Sequence, residues 1–439
     1  TALVITDNNN KIAILDCDLI GFDLPLAKEI RQKIGQAIGT KLTNVLLGAT
    51  HTHNGPCTGR NGLGGSHDVP VRDGEIEALD TYIENLVRQL VGVTVIANSD
   101  LQPVRVGAGS DEANVAINRE EIDPEDSSIL VGRNPDGITD RSVDVLRIDT
   151  IDGVPLAVIV GYAAHPVVMG YFQYLYSQDY PGTVRSIVEK ATNATCLFLT
   201  GAAGNQACWS FLQSNWEEQE RMGGRIAGAA IKAFYGIETR PHKEIRKRGQ
   251  SLSLIALYHK EFHDGPTHQL FKTAHSTATV KLQPLPSQEE IEAQLAEATA
   301  LLDKYIAAGE GTEKTVPQQL EVRWAKGVLD MVKKGDTEHT LEYPIAGYRI
   351  DDFVLLSIPG EPFVEIQIGV KQLSKSKHTM FAGYANGILG YIPVEKTVKQ
   401  GGMSVSSAVR TYNIPAPPTE TAADDVIAAF GKVLSELGV

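Results

Sequence analysis

No run of about 18 uninterrupted apolar residues occurs anywhere in the 439-residue sequence, so a membrane-spanning helix is not expected. Cysteine is scarce. Cys17, Cys57, Cys196 and Cys208 stand far apart, and none forms a CxxC pair, which excludes the usual thiol-based zinc ribbons and dithiol redox motifs. A chain of this size buries enough core to need no disulfide staples. Positive charge is also in short supply: 40 Lys and Arg against 54 Asp and Glu leave a formal charge of −14. That balance argues against general binding to nucleic acid or to an anionic membrane, since both call for a basic surface. The N-terminus shows no basic region followed by an apolar core, so no signal peptide is visible and the chain leans toward the cytoplasm. Internal repeats, low-complexity tracts and clear linkers are missing too. The expectation is a single domain over residues 1–439 acting on a small-molecule substrate, with self-association as a homo-oligomer left open.

Present instead is an alternation of strand-like and helix-like segments. ALVIT and KIAILDCDLIGFD form a hairpin around DNNN, and LPLAKEIRQKIGQAIG is an amphipathic helix stopped by Gly39. NVLLGAT is a short buried strand, Glu75 to Leu90 a second helix, and TVIANSDLQPVRVGAGS extended chain. SVDVLRIDT and LAVIVGYAAH read as strands, YPGTVRSIVEKATN as a helix, and ATCLFLTGAAG as a strand ending in a small-residue loop. This order predicts an α/β sandwich with a mixed sheet, because hairpins require antiparallel pairing. A mostly helical insertion is expected around residues 260–335, its acidic helix opened by a capping box at Ser287 and Glu290. YRIDDFVLLSIPG and TMFAGYAN then return to strands.

The residues able to do chemistry collect where apolar strands end. In GATHTHNGPCTG, His51 and His53 stand two apart directly behind NVLL. Imidazole is a common ligand for zinc, yet two histidines at a strand end, taken alone, are explained as hydrogen-bonded polar groups. His165 closes AVIVGYAAHP, Glu361 follows VLLSIPG, and Tyr391 lies in a Gly-rich loop beyond TMFAGYANG. Packing or turn chemistry would account for each alone. Four candidate ligands at four strand ends are harder to assign to packing, because loops beyond strand ends are where sites collect in α/β sheets.

Together these segments resemble the neutral ceramidases, zinc-dependent amidases, and related bacterial hydrolases. THTHNGP is similar to the family's THTHSGP motif, AAHP to its second zinc-histidine motif, SIPGE to its glutamate motif, and AN…GYI to the segment whose tyrosine completes the metal site. AINRE, SQDYPG and FLTGAAGN resemble three further family segments, in the same order along the chain. The resemblance implies a metal-hydrolase core in a short bacterial member without the C-terminal immunoglobulin-like domain of the large ceramidases. It implies zinc (Zn2+) held by His51, His165, Glu361 and Tyr391, with His53, Arg119 and Asp179 as catalytic or supporting residues. His53 would donate a proton or face the oxyanion, Arg119 would hold the substrate, and Asp179 would orient a histidine or else cap a helix.

The implied reaction is hydrolysis of an N-acyl or cyclic amide by metal-activated water. A lactone, ester or carbon–carbon bond in a small polar substrate is the alternative, and a non-catalytic binding protein on the same fold a more distant one. One departure matters. The tyrosine that the family places shortly after its zinc tyrosine falls here on GGMSVSS, residues 401–407, so a proposed oxyanion donor is missing. Cys57, close behind the histidines, is expected to be a bystander, and the aromatic run 170–180 is a candidate lining for the pocket mouth.

Overall fold

Residues 1–439 are described by a computed structural model, apart from 8, 60–73, 171–174, 264–269 and 337. In chain order the first half contains β1 (Ala2–Thr6), β2 (Lys11–Cys17), α1 (Leu24–Ile38), β3 (Val45–Ala49), α2 (Glu75–Ser99), β4 (Val104–Glu112), β5 (Ala116–Ile122), β6 (Ile129–Asn134), β7 (Ser142–Thr150), β8 (Pro155–Tyr162), α3 (Asp179–Thr192), β9 (Thr195–Thr200), β10 (Gln206–Cys208) and α4 (Trp216–Gly236). The second half adds β11 (His242–Gln250), β12 (Leu254–Phe262), β13 (Phe271–Lys281), α5 (Gln288–Ala307), α6 (Thr312–Lys334), β14 (Thr340–Ile350), β15 (Phe353–Ser357), β16 (Glu361–Pro362), α7 (Val364–Leu373), β17 (His378–Ala382), β18 (Tyr391–Ile392), α8 (Glu395–Gln400), α9 (Ser407–Thr411) and α10 (Ala422–Leu437).

Alternating side chains sort these strands into layers. In β8, Val158 and Val160 face α3 and α4, whereas Ala157 and Ile159 face the centre. In β15, Val354 and Leu356 pack on α7 and α10, and Phe353 and Leu355 point inward. The central layer unites Ile14 and Leu46, Ile159 and Leu199, and Leu355 and Met380, drawn from the three sheets β1-β2-β3, β4-β7-β8-β9 and β13-β14-β15-β17. Helices cover the outer faces. Each fully buried aliphatic side chain contributes about 1.5–3 kcal/mol relative to exposure, so this period-two division fixes the layering. Pairing is mixed: β1–β2 is antiparallel, while β2–β3, β8–β9 and β15–β17 are parallel. The expected α/β sandwich with mixed sheets is therefore the observed architecture.

Local signals explain several boundaries. Asp23 caps α1 by accepting from the Leu26 amide at 2.7 Å, and Gly39 ends it at φ 70°. The capping box at Ser287 and Glu290 opens α5. Two expectations need correction. α2 does not stop at Leu90 but runs to Ser99, because Thr94 lies buried and its hydroxyl bonds the Leu90 carbonyl within the helix. The β-branched run TVI had suggested extended chain, and tertiary packing overrides that preference.

The insertion also begins later than residue 260. Phe271–Lys281 is a strand paired along eleven residues with β14 in the main sheet. The helical excursion is the α5–α6 pair between these two strands, packed on itself through Ile291, Trp324, Val328 and Leu329.

Candidate metal centre

The ends of β3, β8, β15 and β17 converge on one buried cluster. His51 lies two residues past β3, its amide donating to the Leu19 carbonyl at 2.9 Å, and its backbone sits in the left-handed region at φ 66°. A non-glycine residue held there costs about 1–3 kcal/mol, and such positions gather at functional sites. The turn brings the His51 ring inward, with Nδ1 2.5 Å from the Ile20 carbonyl. His165 follows β8, where an isolated bridge to Ala207 and a hydrogen bond from its amide to the Gln206 carbonyl tie it to β10 of the neighbouring sheet. Its Nδ1 lies 2.6 Å from the Ala203 carbonyl. Glu361 and Tyr391 are register partners in the short parallel pair β16–β18. Gly360 makes that turn possible at φ 106°, where a Cβ would stand 2.8 Å from the Gly390 carbonyl.

A carbonyl oxygen only accepts, so each Nδ1 carries the proton and each Nε2 presents a bare lone pair. The two Nε2 atoms lie 3.0 Å apart. Glu361 Oε2 completes a triangle at 3.1 Å from His165 Nε2 and 3.5 Å from His51 Nε2. Three acceptors at these spacings repel one another unless a positive centre lies among them. Ligand bonds of about 2.0–2.1 Å in a tetrahedral site separate neighbouring donor atoms by roughly 3.3 Å, so the triangle has the size a small divalent cation needs. Protons are a poor substitute, because burial, and then the nearby Arg119, push His165 down to about 3. His51, His165 and Glu361 are each 1% exposed or less.

Around the triangle stand three phenols and a guanidinium. Arg119, on β5, donates from Nη2 to the Tyr391 hydroxyl at 2.9 Å and to the Gly204 carbonyl at 2.8 Å, and lies 3.2 Å from His165 Nε2. Its Nη1 has no hydrogen-bond partner among the described residues. Tyr384 stacks on His51 with ring centroids 4.2 Å apart, and Tyr412 donates its hydroxyl to Glu361 Oε1. Burial pushes the phenols of Tyr384, Tyr391 and Tyr412 well above their ordinary range, so all three are neutral donors in the protein itself. His53 differs from its neighbour. It is exposed, with its ring 5.0 Å from that of His51 and 5.7 Å from that of His165. One ligand atom each from His51, His53 and His165 lies within 4.8 Å of the others, so this trio could also hold a metal ion.

Asp179 is a correction. Among the described residues it touches no histidine; its carboxylate accepts from the amides of Met169 at 2.9 Å and Tyr180 at 2.6 Å, as the first residue of α3 at φ 53°. Burial pushes its carboxyl up to about 6. Its place is to pin the chain that follows His165. Cys57 is half-buried with its thiol pushed up by burial, which leaves it a poor nucleophile. Residues 171–174 of the aromatic run lie outside the described residues, whereas Leu175 and Tyr176 are exposed and Tyr180 is fully buried.

Tyr384 and Tyr412 were not singled out from the sequence. Tyr384 stands directly before the matched AN…GYI segment, at the end of the strand-like run TMFAGYAN, so its place beside the strand end was the available signal. Tyr412 lies 51 residues from its partner and carried no local signal.

Fold and site together place a buried cluster of two imidazoles, a carboxylate and a phenol at the strand ends of an α/β sandwich. The comparisons with known proteins find similarity to neutral ceramidases. Neutral ceramidase B of Dictyostelium discoideum is 30% identical over 158 residues, covering 34% of this chain and 20% of that protein. Neutral ceramidase of Pseudomonas aeruginosa is 24% identical over 402 residues, covering 80% of this chain and 54% of that protein. The chain thus spans about half the length, or less, of these curated relatives.

The crystal structure of the Pseudomonas aeruginosa enzyme matches all of this chain over 68% of its own length, with a TM-score of 0.61 at 18% identity. A structure described as ceramidase complexed with C2 gives the same TM-score at 16% identity. No family model matches the sequence. The chain is ceramidase-like in sequence and has the neutral ceramidase fold. Among the described residues no helix is long and apolar enough to cross a membrane.

Proposed function

We propose that this protein is a zinc-dependent hydrolase of an amide bond in an N-acyl or cyclic amide, with His51, His165, Glu361 and Tyr391 as the metal-holding set. The observation that carries the proposal is the triangle of two bare Nε2 atoms and one carboxylate oxygen, each histidine locked by a carbonyl at Nδ1. A zinc ion bound there supplies Lewis acidity toward the substrate carbonyl and lowers the pKa of a water molecule toward neutrality.

The chain's own groups divide the remaining work. His53, exposed beside the buried pair, delivers a proton to the departing nitrogen or a hydrogen bond to the developing oxyanion. Arg119 fixes the Tyr391 hydroxyl through Nη2 and keeps Nη1 for a substrate oxygen. The Ile20 and Ala203 carbonyls hold both imidazoles in one tautomer, the service that carbonyls and carboxylates beside metal-binding histidines provide. The sequence similarity to neutral ceramidases supports amide chemistry.

A screen of N-acyl amides, cyclic amides, esters and lactones against zinc-loaded protein tests the proposal. Turnover of an amide that chelation abolishes and zinc restores is expected, and His51→Ala should lack both metal and turnover. Turnover of lactones or esters alone would replace the amide reading. Turnover that survives chelation would remove zinc from it.

A further inference from the structure

The segment after the ligand tyrosine leads from the site to the helical pair α5–α6. Tyr412, just beyond α9, donates its hydroxyl to Glu361 Oε1, while Oε2 of the same carboxylate faces the two imidazoles. A carboxylate with both oxygens unengaged can swing or bind in two-oxygen fashion. A charge-assisted hydrogen bond on Oε1 commits Oε2 to the centre of the triangle. The Tyr412 ring packs beside Ile388, Val409 and Phe363, contacts that a phenylalanine would keep, so the hydroxyl is the part that addresses the site.

What holds Tyr412 in place comes largely from the helical pair. Arg410 donates from Nε to Glu321 Oε2 at 3.0 Å, and its guanidinium lies 4.1 Å from the Trp324 ring centre. The Trp324 indole donates to the Ile414 carbonyl at 2.7 Å, and Arg323 Nη2 to the Arg410 carbonyl at 3.1 Å. Glu321, Arg323 and Trp324 all belong to α6. They grip the chain on both sides of Tyr412, at positions 410 and 414.

We infer that Tyr412 is a positioning residue for the Glu361 carboxylate, and that the α5–α6 pair serves the site by clamping the segment that carries it. The inference rests on the metal-site proposal above.

Zinc affinity measured by chelator competition, together with the visible spectrum of the cobalt-substituted protein, tests it in wild type, Tyr412→Phe and Arg410→Met. Tyr412→Phe should keep the circular dichroism and melting temperature of the metal-free wild type, bind zinc about 10–100-fold more weakly and shift the cobalt bands. Arg410→Met, which leaves the hydroxyl in place, should lose affinity in the same direction by a smaller factor. Wild-type affinity and an unchanged cobalt spectrum in Tyr412→Phe would overturn the inference. Unchanged affinity in Arg410→Met alone would remove the helical pair from it. A wild-type protein that binds no zinc would fail differently, by overturning the metal-site proposal itself.

Discussion

Arg185→Met should destabilise the protein by about 3–5 kcal/mol, because it strips a buried carboxylate of its cation. Arg185, on α3, bonds Asp16 Oδ2 at 2.9 Å and reaches both oxygens of Asp18 at 2.6 and 2.7 Å. Asp16 is 6% exposed and also accepts the Phe198 amide at 2.9 Å, so this one group ties α3, β2 and β9 together. Burial already lifts the Asp16 carboxyl above its ordinary range against the pull of Arg185. At about 2.1 cal/mol/K per residue, the unfolding entropy of 439 residues is roughly 0.9 kcal/mol/K, so a loss of about 4 kcal/mol lowers the melting temperature by about 4 °C.

The sign with pH follows from the same burial. Without Arg185, the Asp16 carboxyl rises further, takes a proton more readily in the folded state, and the penalty shrinks as pH falls. Differential scanning calorimetry at pH 7.5 and pH 5 reads both effects. A shift under about 1 °C at pH 7.5, or an equal shift at the two pH values, would refute this reasoning.

His165→Ala should abolish metal binding, whereas His53→Ala should retain the metal and lose about 10²–10³ in turnover; metal content and kinetics on the same preparations check the division. Gly204→Ala should cost about 1–3 kcal/mol and weaken the metal site, because its Cβ would meet the Glu361 carbonyl at 2.5 Å and the Pro362 carbonyl at 2.9 Å. Burial, with Arg31 and Lys41 nearby, pushes His275 down to about 4. The unfolded chain therefore takes up this proton first, and stability falls as pH drops from about 6.5 to about 4. The full gap corresponds to about 3 kcal/mol, reduced to roughly 1–2 kcal/mol for a ring that is only partly buried. His275→Gln should lessen the acid-induced drop in melting temperature accordingly.

How much of this was legible in the sequence depends on the range of the interaction. The strands ending in His51, His165 and Glu361 were visible because buried strands are apolar runs closed by turn residues, and the same signals gave the first hairpin and the α1 and α5 caps. Strand β13 was submerged in the presumed insertion, since its polar face toward solvent broke the apolar run. Asp179 had the right residue type near the right histidine, yet its partners are backbone amides, which no side-chain motif encodes. The Ile20 and Ala203 carbonyls that fix the histidine tautomers are likewise invisible in residue identities. Tyr412 reaches its carboxylate only because α6 holds its segment, a long-range arrangement that local spacing does not carry.

In the proposed site, two imidazole nitrogens and one carboxylate oxygen meet because a cation belongs among them. Elemental analysis of protein dialysed against metal-free buffer and then titrated with zinc tests it most directly. Saturation at one zinc per chain, lost in His165→Ala, is the expected result. Saturation well below one, or unchanged binding in that variant, would contradict it.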